Sequence, residues 1–133
     1  MDIASLKLVS ASEKGAELDL LSPFSGESIG STFDVMGFDA PEMIAAAREF
    51  DREQAGKGDK QEQDELMRLR RAHLATAAVK GWSNFGVGTD SEPYSKARAR
   101  EIFFDPEYQW IPEQVCRFGA ARRNFTPKLK SDA

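Results

Sequence analysis

A chain of 133 residues with 41% hydrophobic and 30% charged side chains suits one domain with a modest core and excludes the large catalytic architectures. A formal charge of −4, a pI near 5.1 and a mean hydropathy of −0.50 argue for a well hydrated chain and against a surface built wholly for nucleic acid. The single cysteine, Cys116, excludes an internal disulfide, no run approaches the ~18 apolar residues of a membrane span, and the opening Met1-Asp2-Ile3-Ala4-Ser5 lacks the basic and apolar stretches of an export signal. The expected setting is a reducing cytoplasm.

The first candidate elements are short and extended. Glu17-Leu18-Asp19-Leu20-Leu21 and Ser31-Thr32-Phe33-Asp34-Val35-Met36 show partial period-two alternation and are separated by the turn-rich Ser22-Pro23-Phe24-Ser25-Gly26 and by Gly30. This pattern predicts two antiparallel strands, with Leu6-Lys7-Leu8-Val9 as a candidate third. So small a sheet has to lean on helices.

Asp39-Ala40-Pro41-Glu42 reads as a helix start, with Asp39 as N-cap, Pro41 in the first turn and Glu42 in the capping-box position. The helix is expected over residues 40–54, with Met43, Ala46, Ala47 and Phe50 as its apolar stripe. Residues 55–60, with two glycines, read as a loop or hinge. A longer helix is expected over residues 61–79, where Leu66, Met67, Leu69, Leu74, Ala77 and Ala78 converge on one side with Arg70 and His73 at its edge, and Gly81 is expected to end it.

Trp82-Ser83-Asn84-Phe85-Gly86-Val87-Gly88 then reads as a turn pinned to the core by two rings. Ser95 is the expected N-cap of a helix over residues 96–104 anchored by Ile102 and Phe103 and stopped by Asp105-Pro106. A last helix over residues 112–121 follows Ile111 and carries Val115 and Phe118, and residues 128–133 read as a flexible tail. The sum is an α+β chain, mainly helical, with about four helices and a small N-terminal antiparallel sheet. It forms one domain over residues 1–127, with a β-containing lobe at about 1–54 and a helical lobe at about 61–125.

Few residues suggest chemistry. One histidine, His73, and one cysteine, Cys116, supply neither a zinc ligand set nor a nucleophile with an oxyanion-hole signature. Gly86-Val87-Gly88 lacks the preceding strand, following helix and lysine of a phosphate loop, and Asp64 with Glu65 lies on a charged helix face. The reading is therefore of no enzyme, no cofactor and no metal. Charge is uneven, six basic against fifteen acidic residues in 1–65 and twelve against seven in 66–133. Such polarity steers a charged partner, orients head-to-tail association or merely solvates the surface. The basic end, Arg117, Arg122, Arg123, Lys128 and Lys130 interleaved with Phe118 and Phe125, carries the alternative reading of a small nucleic-acid-binding protein.

The order of elements resembles the tail assembly chaperones of long-tailed bacteriophages, small proteins encoded just before the tape measure protein. The likeness is carried by Gly81-Trp82-Ser83 after a helix, Pro93-Tyr94-Ser95, Ala97 through Phe104, Asp105-Pro106-Glu107, Trp110, Pro112-Glu113-Gln114-Val115 and Asn124-Phe125. It extends more loosely to Leu18-Asp19-Leu20-Leu21-Ser22-Pro23, Gly26-Glu27 and Val35-Met36-Gly37-Phe38-Asp39. The resemblance implies a non-enzymatic protein of the host bacterial cytoplasm, absent from the mature virion. It would self-associate, coat and solubilise the tape measure protein and help recruit tail tube protein, in some members through a frameshift-extended form. Trp82, Phe85, Tyr94, Trp110 and Phe125 are the candidate partner-binding residues.

Overall fold

A computed structural model describes residues 3–57 and 62–126. Among the described residues there are five α-helices and one three-stranded antiparallel sheet: α1 (Leu8–Lys14), β1 (Ala16–Leu21), β2 (Ser28–Val35), α2 (Pro41–Lys57), α3 (Gln63–Ala78), β3 (Val79–Ser83), α4 (Lys96–Phe103) and α5 (Trp110–Ala120). The coarse expectation of a mainly helical α+β chain holds. The sheet, however, is not confined to the N-terminal part, because β3 joins it from the middle of the chain.

Strand order is β1-β2-β3, with Leu18 opposite Phe33 and Phe33 opposite Trp82. Alternation sends Leu18, Leu20, Phe33 and Val35 to the core while Glu17, Asp19 and Asp34 face outward. The hairpin departs from expectation at Gly30, read as a separator but lying inside β2 at φ +85°, where glycine costs nothing. β3 was read as the end of a helix and a turn. Val79 leaves α3 directly into extended backbone, and Gly81 pairs with Asp34 of β2. Pairing with β2 thus overrides glycine as a helix stop.

Residues 6–9 form no strand; from Leu8 they belong to α1. The outer edge of β1 at Leu21 is already occupied by Gln114 of α5, whose side-chain amide accepts from the Leu21 N–H at 2.9 Å and donates to its carbonyl at 2.8 Å. The C-terminal carbonyls of α1 instead receive the Lys80 ammonium, 3.2 Å from Glu13 O and 3.1 Å from Lys14 O. Gly15 ends that helix at φ +80°, where a Cβ would stand 2.8 Å from Val35 O.

Asp39 does not cap α2. Its carboxylate binds the Arg122 guanidinium through both oxygens, at 2.9 and 3.0 Å, and the Ala40 carbonyl accepts from Met43 and Ile44. The helix also runs three residues beyond the expected end, so part of the expected hinge is helical, while residues 58–60 lie outside the described residues. The expected stripe of Met43, Ala46, Ala47 and Phe50 is buried or half-buried.

α3 packs against α2, α4 and α5, and its buried face includes Leu74 together with Ala72, Ala75 and Ala78, small residues that allow close approach. Met67, expected inward, is exposed. Ser95 caps α4 as expected, accepting from the Arg98 N–H at 3.1 Å. Asp105 opens a 3-10 turn at Pro106–Tyr108, and α5 starts at Trp110, two residues earlier than its pattern suggested. The expected tail at 128–133 lies outside the described residues.

The core is one continuous cluster drawing on both halves of the chain, with Phe33 at 0% exposure among its largest side chains. Phe33→Ala is expected to cost about 3–5 kcal/mol. Urea unfolding followed by circular dichroism would measure it; a loss below about 1 kcal/mol would contradict Phe33 as the centre of the core.

Candidate partner-binding surface

Four of the five candidate aromatic residues come together beside β3. The Trp82 ring lies 4.9 Å from the rings of both Phe85 and Tyr94, and Phe85 meets Phe33 edge-on at 4.9 Å. Their polar atoms are spent inward: Trp82 Nε1 donates to the Glu92 carbonyl and the Tyr94 hydroxyl to the Val79 carbonyl, each at 2.8 Å. Burial raises the Tyr94 pKa above its ordinary value. Trp110 joins Phe85 in lining a small apolar notch of about 150 Å³ whose rim carries Ile29 and Val87.

Phe125 is placed elsewhere. It packs edge-on against Phe118 at 5.6 Å and lines a separate groove against α1. Phe85 and Phe125 are buried, and Trp82, Tyr94 and Trp110 are half-buried. These rings shape the surface more than they present themselves on it.

The apolar groups a partner would meet are others. Ile29 and Val87 are 45% and 43% exposed at the notch. Ile44 stands in a shallow cleft between α2 and α3 with Met43, Ala47 and Leu74, bordered by Arg48 and Asp51. Leu6 and Leu8 flank the α1 groove, and Phe24 at the β1–β2 turn is 98% exposed. Sequence pattern missed them because an exposed apolar residue breaks no periodicity; Phe24 read simply as part of a turn.

Glu92 holds the loop that carries Val87. Its carboxylate accepts from the Val87 N–H at 2.8 Å and from Arg98 Nε at 2.8 Å, while its own N–H donates to the Phe85 carbonyl at 2.8 Å. Gly86 is required there, since a Cβ would run into the Asp90 carbonyl. Gly86 therefore serves close backbone approach, whereas a Cβ at Gly88 would meet nothing within 4 Å.

The two chemically reactive side chains are engaged with different segments. His73 Nε2 lies 3.2 Å from the Ala46 carbonyl of α2, and the Cys116 thiol of α5 lies 3.5 Å from the Arg71 carbonyl of α3. Burial pushes the Cys116 thiol up to about 12, so it stays protonated at neutral pH. Among the described residues no group of three or more His, Cys, Asp or Glu is placed to hold a metal, and no helix is long and apolar enough to cross a membrane.

The basic C-terminal end is partly self-neutralised. Arg122 is engaged by Asp39, whose carboxyl it holds below the ordinary aspartate value, and Phe118 and Phe125 pack edge-on against one another. Lys128 and Lys130 lie outside the described residues. No protein family, curated protein or solved structure matches the chain.

The Glu92 carboxyl is held below its ordinary value, first by Arg98 and then by the Val87 N–H. A pKa lowered by folding contributes stability above the ordinary glutamate range, and that contribution disappears as pH falls below it. In a Trp110→Phe background, Trp82 fluorescence is therefore expected to shift as the solution is acidified below about pH 4. Glu92→Gln should abolish that shift, and an identical transition in the variant would contradict the clamp.

Proposed function

We propose that this chain is a tail assembly chaperone of a long-tailed phage or prophage. It binds and solubilises the tape measure protein, self-associates along it and helps recruit tail tube subunits. It acts in the host cytoplasm and leaves before the virion is complete.

The observation that carries the reading is the distribution of exposed apolar side chains. Ile44 between α2 and α3, Ile29 with Val87 at the notch, and Leu6 with Leu8 by α1 each border a shallow apolar depression, the first and last of them with charged residues at the edge. Shallow apolar depressions suit the apolar stripe of an amphipathic helix, and several per chain suit many weak contacts along an elongated partner. The order of elements that resembles the tail chaperones supplies the identity of that partner. Trp82, Phe85, Tyr94 and Trp110 then act as the packed support of the notch, and Phe125 as that of the α1 groove.

Among the described residues no comparable feature favours nucleic-acid binding, because Arg122 is paired with Asp39 and the rings of Phe118 and Phe125 pack edge-on against one another. Co-expression with the long helix-rich protein encoded immediately downstream is expected to render that protein soluble and co-eluting with several copies of this chain. Ile44→Asp combined with Val87→Asp should reduce the soluble partner about 10-fold with unchanged circular dichroism. A partner that stays insoluble, or a recovery indifferent to both changes, would overturn the proposal.

A further inference from the structure

Phe24 stands 98% exposed at the tip of the β1–β2 hairpin, on a turn built to hold it still. The Ser22 hydroxyl accepts from the Phe24 and Ser25 N–H groups at 3.1 and 3.3 Å, and the Ser22 N–H closes onto the Glu27 carbonyl at 2.8 Å. Gln114 fixes the hairpin's base at Leu21, and the Ser28 hydroxyl donates to Asp19 at 2.8 Å. A ring presented on so constrained a turn loses little entropy when it docks.

The same chain carries a socket. Leu6, Leu8, Ala11 and Phe125 line a groove of about 170 Å³ between α1 and the C-terminal turn, with Lys7 and Arg122 at its rim. An apolar cavity of about 150 Å³ already holds a benzene ring. Charge matches as well as volume. Glu27, three residues from Phe24, and Lys7 at the rim make no ion pair among the described residues, so the hairpin brings an unpaired carboxylate toward an unpaired ammonium.

We infer that the hairpin of one copy docks into the α1 groove of a second copy, Phe24 filling the socket and Glu27 facing Lys7. The two surfaces are different patches, so the contact is heterologous and each copy retains one free knob and one free socket. The inference rests on the self-association within the proposed function and supplies its contact. Assembly then proceeds head to tail, with no built-in stop at a dimer.

The test uses the full chain alone, so that its failure is distinct from failure to bind the long helical partner. Sedimentation at increasing concentration is expected to show mass rising beyond a dimer, and Phe24→Ser to weaken association by about 10-fold or more. Ala11→Trp, which fills the socket, should have the same effect. The Phe24→Ser chain keeps its socket and the Ala11→Trp chain keeps its knob, so mixing the two should restore a one-to-one dimer that grows no further, which misfolded variants would not do. A wild-type chain that stays monomeric, or an assembly unchanged by Phe24→Ser, would overturn the inference. Association insensitive to Phe24→Ser but lost on deleting residues 128–133 would likewise overturn it and assign the socket to the chain's own C-terminal segment.

Discussion

The ring of Phe33 meets rings from three other segments: Trp82 of β3 at 5.9 Å, Phe85 of the following loop at 4.9 Å and Phe103 of α4 at 5.9 Å. Each of those neighbours comes from the second half of the chain, whereas Phe33 sits on the central strand, paired with Leu18 on one side and Trp82 on the other. Phe33 therefore ties the sheet to α4 and to the loop after β3 through aromatic contacts of high sequence separation. α3 leads directly into β3, which pairs with β2. The small residues on the buried face of α3, Ala72, Ala75 and Ala78, allow its neighbours to pack closely.

Once that junction is made, the polar groups near it are consumed by the fold. Glu92 ties the loop after β3 to Arg98, Lys80 closes α1, Gln114 covers the edge of β1 and Arg122 draws the chain's end onto Asp39. Cys116 is buried and protonated. Among the large apolar side chains left exposed are Phe24, Ile29, Ile44 and Val87. A surface of that kind points toward binding another protein, and the proposed function follows from it together with the family resemblance.

Helices with strong local signals were legible in the sequence. Ser95 capped the helix it was expected to cap, and Met43, Ala46, Ala47 and Phe50 faced inward at helical spacing. Features decided by distant partners were not. The strand at Val79–Ser83 exists because β2 offers it an edge, and nothing within those five residues outweighs the glycine. Asp39 carries every local mark of an N-cap and is claimed instead by a guanidinium 83 residues away. Leu6-Lys7-Leu8-Val9 alternates like a strand, but the edge at Leu21 was taken by a side chain. The aromatic residues illustrate the same limit at the candidate site: their type suggested contact with a partner, while their placement gives them the prior task of holding β3 and its loop.

The central claim is that this chain binds through exposed apolar side chains on a fold that does not itself open. Methyl nuclear magnetic resonance of the chain, titrated with a soluble amphipathic fragment of the helical partner, tests it most directly. Shifts are expected at Ile29, Ile44 and Val87, with the methyls of the buried Leu20, Val35 and Val115 unmoved. Shifts concentrated at the buried methyls, or none anywhere, would contradict it.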